Sequence, residues 1–180
     1  MKLEISKKHK HYTALDFPLL TWEEVIDHID KNVIAEYATE AQTNYGVVTY
    51  NAYEMEKTLP ILELVKQTDT SREYTAYMHL SFSSKTEGYG RHKDQADVWH
   101  WQTIGKSRWI VFDRETVVYD LTPGELIYIP KGMYHQVTPL TPRVGISYGL
   151  EALNRIPHHE WLEETKAWKE DEGFENYLKN

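Results

Sequence analysis

The sequence predicts a mainly β protein in which an antiparallel barrel or sandwich is flanked by helices. Short runs rich in Tyr, Trp, Val, Ile and Thr follow one another from about Tyr74 to Gly149, and Gly and Pro residues separate them. No long helical segment lies between these runs, which argues against a parallel α/β sheet. The strands therefore pair with their neighbours in an antiparallel arrangement.

Composition and length narrow the class of protein. The chain has 180 residues, which predicts a single domain, and 20 basic against 28 acidic residues give a net charge of −8. That charge disfavours general binding to nucleic acid or to an anionic membrane. With no cysteine, no apolar leader and no stretch long enough to cross a bilayer, we expect a soluble, cytoplasmic protein.

The N-terminal region, 1–73, is predicted to be mixed and partly helical. A helix begins at Trp22, with Thr21 as the N-cap and an apolar face formed by Trp22, Val25, Ile26 and Ile29. A strand follows at Gly46–Tyr50, and a second helix lies within Met55–Gln67, where Pro60 suits the first turn.

The barrel core is predicted at 74–150, followed by a C-terminal helical region at 151–180. Its predicted strands are Tyr74–Ser83, Val98–Thr103, Arg108–Phe112, Thr116–Tyr119, Leu126–Ile129, His135–Val137 and Val144–Leu150. The C-terminal helix has Trp161, Thr165 and Trp168 on one face, which predicts packing against the barrel or a second subunit. A monomer and a homodimer are both compatible with this organisation.

A metal site is predicted at the start of the barrel. His92 and Asp94 are two residues apart, and in extended backbone such residues project to the same face, so both reach one ion. His135, at the end of a strand and a sharp turn, is the candidate third ligand. Two histidines and one carboxylate form the facial triad of non-haem Fe(II) oxygenases, although Mn, Co, Ni and Zn also suit these donors. His28 and Asp30 have the same spacing, but on a helix their side chains diverge.

The remaining histidines and tryptophans of the barrel have structural interpretations. Trp99, Trp101 and Trp109 are expected to form the barrel wall. His79 is expected to be a core or rim histidine, and His100 to face away from the metal or to fill a polar niche.

These motifs together resemble the JmjC-type cupin oxygenases. The run from Ser81 to Trp99, followed by Gln102, Gly105 and Arg108-Trp109, is similar to the core of that family, and Leu121–His135 is similar to its second metal motif. Within the family, the similarity is greatest to the bacterial ribosomal-protein hydroxylases. The resemblance implies a double-stranded β-helix, the cupin or jelly-roll barrel. It also implies Fe(II) bound by His92, Asp94 and His135, with 2-oxoglutarate as cosubstrate and dioxygen as oxidant.

The sequence departs from the family at the position that binds the distal carboxylate of 2-oxoglutarate. The family usually has Lys or Arg two residues after the glycine that corresponds to Gly105, and here that residue is Ser107. A buried dicarboxylate still needs a cation or dense hydrogen bonding. Lys106, after a one-residue slip or a bulge, and Arg143 are the candidate cations. Tyr77 and Ser147 are candidate hydroxyl donors to the same carboxylate.

Three functions are compatible with these residues. The first is an Fe(II)- and 2-oxoglutarate-dependent oxygenase that hydroxylates a protein or peptide side chain or a small molecule. The second is a metal-binding cupin without 2-oxoglutarate chemistry, which Ser107 favours. The third, a protein-interaction module with a vestigial site, predicts no bound transition metal.

Overall fold

The barrel is a double-stranded β-helix made of two antiparallel sheets. The computed structural model describes residues 2–13, 15–32, 47–86, 88 and 90–151. These residues contain nine strands and two short helices, so the predicted mainly β fold is confirmed. The predicted C-terminal helix lies outside the described residues.

The larger sheet has the strand order β1-β7-β4-β9-β3-β2, and the smaller sheet has the order β6-β5-β8. The strands of the larger sheet are β1 (Lys10–Tyr12), β2 (Val48–Asn51), β3 (Tyr74–Ser81), β4 (Asp97–Ile104), β7 (Leu126–Ile129) and β9 (Arg143–Leu150). Those of the smaller sheet are β5 (Ser107–Phe112), β6 (Thr116–Leu121) and β8 (Tyr134–Pro139). Most predicted strands therefore occur with bounds moved by one or two residues, whereas the short and polar β1 has no sequence signal of the kind used above.

The helices pack on the outer face of the larger sheet. Helix α1 (Trp22–Asn32) begins with a capping box, in which the Glu24 amide donates to Thr21 Oγ1 and the Thr21 amide donates to the Glu24 carboxylate. Helix α2 (Leu59–Lys66) follows a 3-10 turn. The predicted apolar face of α1 is wrong at Ile26, which is 53% exposed. Neither of these helices is long and apolar enough to span a bilayer.

Alternation along the strands gives the larger sheet two different faces. One face packs against the helices; its buried residues include Met78, Trp99, Trp101, Ile146 and Tyr148. A second apolar cluster lies between the two sheets and consists of Trp109, Val111, Leu121, Ile127 and Ile129. The side chains that alternate with the helix-facing residues on β3, β4 and β9 therefore face the space between the sheets.

Candidate metal centre

His92 and His135 are joined through their backbones. The His92 amide donates to the His135 carbonyl at 2.9 Å, and the His135 amide donates to the His92 carbonyl at 2.8 Å. This single antiparallel bridge attaches the segment before β4 to the strand β8. It brings the two imidazole rings to a centroid separation of 4.3 Å, although the residues are far apart in the chain.

Asp94 completes a group of three donors. Its Oδ1 lies 3.8 Å from His92 Nε2, and its Oδ2 lies 3.5 Å from His135 Nε2. One donor atom from each of the three residues lies within 4.8 Å of the others. The Gly132 amide in the turn before β8 also donates to the Asp94 carbonyl at 2.9 Å, which fixes the carboxylate segment against the segment of His135.

Backbone carbonyls orient both imidazoles. His92 Nδ1 lies 3.0 Å from the Gly90 carbonyl, and His135 Nδ1 lies 3.1 Å from the Met133 carbonyl. A carbonyl only accepts, so each Nδ1 carries the proton and each Nε2 keeps a lone pair that faces Asp94. This is how the ligand histidines of metalloproteins are oriented by groups that do not touch the metal. The donor set and its orientation therefore fit a divalent transition metal.

His135 is held in the neutral form that binds metal. Burial, followed by the nearby His92 imidazole, lowers its pKa to about 4. The indole of Trp109 stacks on this imidazole, with ring centroids 5.5 Å apart and an interplanar angle of 13°. Trp109 thus lines the interior beside the site, while Trp99 and Trp101 belong to the helix-facing core.

The approach to His92 depends on a close backbone contact. Gly88 has φ +64°, and a Cβ on it would lie 2.3 Å from the Val137 carbonyl oxygen of β8. Only glycine permits both the left-handed backbone and this contact without strain. Gly88 therefore lets the loop before His92 pack directly on the strand that carries His135.

The family's usual anchor position is occupied by a neutral hydrogen-bond network. The Ser107 hydroxyl is fully buried and donates to Gln102 Oε1 at 2.6 Å, while Trp109 Nε1 donates to Ser107 Oγ at 3.2 Å. The Gln102 amide in turn donates to the Ile104 and Val144 carbonyls. Lys106 is exposed in the turn, where its amide donates to Thr141 Oγ1 at 2.8 Å. Strand β5 therefore turns Ser107 inward and leaves Lys106 at the surface, without the slip needed to bring Lys106 into the barrel.

Arg143, Ser147 and Tyr77 occupy the face between the sheets. Arg143 begins β9 and is 3% exposed. Ser147 lies on the same face of β9, four residues after Arg143, and its hydroxyl is 2.9 Å from His100 Nδ1. Ser147 pairs in register with Tyr77 of β3, whose side chain is exposed. Of the four predicted cosubstrate residues, the structure therefore buries the Arg143 cation inside the barrel and leaves the Lys106 cation outside.

Comparison with solved structures identifies similar proteins. The barrel resembles a ribosomal oxygenase. The Escherichia coli ribosomal oxygenase YcfD matches with a TM-score of 0.53 and 26% identity, over 60% of this chain and 32% of that chain. A second crystal structure of YcfD gives a TM-score of 0.52 and 27% identity over the same shares. YcfD in complex with cobalt and 2-oxoglutarate gives a TM-score of 0.47 and 27% identity, over 55% of this chain and 29% of that chain.

These comparisons bear on the family resemblance. The similarity to the bacterial ribosomal-protein hydroxylases is confirmed, over about a third of the length of YcfD. No family model matches the sequence, and the search of curated proteins gives no significant match.

Sequence reasoning missed two features near the site. It placed Trp109 in the barrel wall without its stacking on His135, and it gave His79 and His100 no role beside Arg143. Alternation along the strands was a signal for the second feature, because His79 lies two residues from Tyr77 on β3 and therefore shares its face. The stacking depends on how β5 pairs with β8, for which the sequence has no local signal.

Proposed function

We propose that the chain is an Fe(II)- and 2-oxoglutarate-dependent oxygenase, of the JmjC type, that hydroxylates a protein or peptide side chain or a small molecule. The observation that carries this proposal is the convergence of two Nε2 lone pairs and one carboxylate in the group His92, Asp94 and His135. Three protein ligands leave coordination positions open for a bidentate cosubstrate and for dioxygen. YcfD, to which the barrel is similar, is a ribosomal oxygenase and has been solved with cobalt and 2-oxoglutarate.

The residues of the site have distinct roles in this proposal. Bound Fe(II) would supply the activation of dioxygen together with the keto acid. His92 and His135 would hold the metal through their Nε2 atoms, and the carboxylate of Asp94 would offset part of its charge. Trp109 covers one face of His135 and keeps water away from that ligand.

Arg143 is the cation that we assign to the distal carboxylate of 2-oxoglutarate. It is buried between the sheets, and its charge lowers the pKa of both His79 and His100, so it lies within electrostatic range of the interior next to the metal ligands. A desolvated guanidinium binds a carboxylate through charge-assisted hydrogen bonds. Lys106 is at the surface, where its charge is screened by water. Arg143 therefore replaces the cation that Ser107 does not provide.

The similarity to a ribosomal oxygenase favours a protein or peptide substrate. Because the match covers about a third of YcfD, a small-molecule substrate remains the second form of the proposal. The single-domain division of the chain, its monomeric or homodimeric state and the cytoplasmic location remain predictions.

Anaerobic titration of the Fe(II)-loaded protein with 2-oxoglutarate tests the proposal. Chelation of ferrous iron by the keto acid produces a weak visible charge-transfer band, and we expect that band in the wild type and its loss in His135→Ala. Arg143→Ala and Lys106→Ala form a matched pair, since each removes one cation. We expect a large loss of affinity in the first variant and almost none in the second.

A cupin that binds metal without 2-oxoglutarate chemistry is the alternative function. The closed network of Ser107, Gln102 and Trp109 favours it, because neutral groups occupy the position where the family usually has a cation. Bound iron without a charge-transfer band would support this alternative and refute the oxygenase.

A further inference from the structure

A half-buried histidine, His79, and a buried one, His100, accompany Arg143 in the space between the sheets. His79 lies on β3 and His100 on β4, and their ring centroids are 6.2 Å apart. His100 is 1% exposed. Strand β9, which carries Arg143, lies between β3 and β4, so the three side chains come from three adjacent strands.

A hydroxyl lies at Nδ1 of each histidine. Thr49 Oγ1 is 3.1 Å from His79 Nδ1, and Ser147 Oγ is 2.9 Å from His100 Nδ1. When the hydroxyl donates to Nδ1, the ring proton is on Nε2, and that nitrogen becomes a donor. Each histidine then presents an N–H group on the side of the ring opposite its hydroxyl.

The Nε2 atom of His100 is buried and makes no hydrogen bond of normal geometry with the part of the chain that the structure describes, although the Gln102 side chain lies close enough to the ring to favour its protonated form. A buried polar group without a partner is costly and calls for an explanation such as a ligand. The ring lies directly over Gly145: a Cβ on this glycine would be 2.2 Å from His100 Nε2. Arg143 and Ser147 flank Gly145 on the same face of β9, so the imidazole extends along the row that holds the cation.

The cluster has one positive charge under ordinary conditions. Burial, followed by the charge of Arg143, lowers the pKa of His79 to about 3 and that of His100 well below its usual value. Both histidines are therefore neutral beside a charged guanidinium. One cation with neutral N–H donors matches the charge of a single carboxylate.

We propose that His100, supported by His79, joins Arg143 in binding the distal carboxylate of the keto-acid cosubstrate and so determines its specificity. This inference rests on the proposed oxygenase function. It assigns the unpartnered Nε2–H of His100 to a carboxylate oxygen. Ser147 is then a positioning residue, because it orients the His100 ring and does not itself touch the ligand.

The test compares two keto acids on the Fe(II)-loaded protein under anaerobic conditions. One is 2-oxoglutarate, and the other is 2-oxopentanoate, which has the same carbon chain without the distal carboxylate. His100→Asn keeps a nitrogen or oxygen near Ser147 but removes the group at the Nε2 position. We expect this variant to lower the affinity for 2-oxoglutarate about ten- to hundredfold, which is the effect of losing a hydrogen bond to a charged group. The affinities for 2-oxopentanoate and for the metal should change by less than about twofold. His100→Gln, whose amide reaches toward the Nε2 position, should restore part of the affinity.

A pair of glycine variants tests the geometry without changing a donor. Gly145→Ala introduces a methyl group against His100 Nε2 and should lower the preference for 2-oxoglutarate in the same way as His100→Asn. Gly149→Ala is the matched control on the same strand, since its Cβ meets Thr75 Oγ1 at 2.6 Å, away from the cluster. It should lower stability and leave the preference unchanged.

The outcomes separate the two proposals. If the wild type fails to bind 2-oxoglutarate with its metal, the oxygenase proposal fails and this inference fails with it. If the wild type binds 2-oxoglutarate and Arg143→Ala abolishes binding, but His100→Asn and Gly145→Ala keep the wild-type preference, the role of His100 is refuted and the oxygenase proposal stands.

Discussion

Removing the Asp97 carboxylate should destabilise the protein far more than removing an exposed carboxylate that also pairs with an arginine. Asp97 Oδ2 accepts from Arg72 Nη1 at 2.7 Å, and the two side chains are only 8% and 10% exposed. Asp97 Oδ1 accepts from the Tyr128 hydroxyl at 2.7 Å and from the Lys131 amide at 3.1 Å. Asp97→Ala would therefore leave a guanidinium and two other donors buried without this acceptor.

The expected cost follows from that burial. Breaking a buried ion pair by removing one partner costs about 3–5 kcal/mol. At roughly 2–4 °C per kcal/mol for a chain of this size, the melting temperature should fall by roughly 6–20 °C. Metal affinity should fall as well, because Asp97 begins β4 just after Asp94 and also holds the turn at Lys131 that leads to His135.

Urea or thermal unfolding of the metal-free protein measures this cost. Asp120→Ala is the matched control: Asp120 forms a two-point pair with Arg108 at 2.7 Å, but both side chains are 46% exposed, so its loss should cost less than about 1 kcal/mol. The double variant Arg72→Met with Asp97→Leu should recover part of the lost stability, since it leaves no buried charge. Equal losses for Asp97→Ala and Asp120→Ala would refute the reasoning.

Three further predictions concern the site. His92→Ala should reduce bound metal to background and change the unfolding free energy of the metal-free protein by less than about 1 kcal/mol, because this side chain is partly exposed; metal analysis that finds full occupancy would contradict the ligand assignment. His79 has a folded pKa of about 3 against 6.5 when unfolded, so protonation favours the unfolded state as the pH falls, and between pH 7 and pH 5 the metal-free protein should lose about 2 kcal/mol through this residue, a slope that should flatten in His79→Gln when urea midpoints are compared. Gly88→Ala should destabilise more than Gly90→Ala in thermal unfolding: both need a positive φ, which costs about 1–2 kcal/mol, but only at Gly88 does the new Cβ also meet a backbone carbonyl; equal losses would show that the contact with Val137 relaxes freely.

Much of the barrel follows from local pattern. The β-branched and aromatic runs predict the strands of both sheets, because side chains alternate between a packed face and the opposite face. The same alternation predicts that His92 and Asp94 project together. The failures are also local: β1 is too short and polar to be recognised, and Ile26, which the sequence places on the apolar face of α1, is 53% exposed.

The assignment of the anchor depended on long-range contacts. The sequence leaves Lys106 and Arg143 as alternatives, because a slip of one residue in β5 exchanges its inward and outward side chains. The structure turns Ser107 inward by pairing β5 with both β6 and β8, and it fills that position with the Gln102 and Trp109 hydrogen bonds. Arg143 alone of the two cations is then buried inside the barrel.

The sequence by itself determined the chemical identity of the donors and the face of each strand on which they lie, since both are properties of residue type and of the two-residue period of extended backbone. Tertiary structure decided which of these faces meet. The exchanged amides of His92 and His135 and the cluster of His79, His100 and Arg143 all join segments distant in the chain. Strand pairing sets such contacts, and pairing is a property of the whole sheet because each strand's register is fixed by its neighbours and by the core they share.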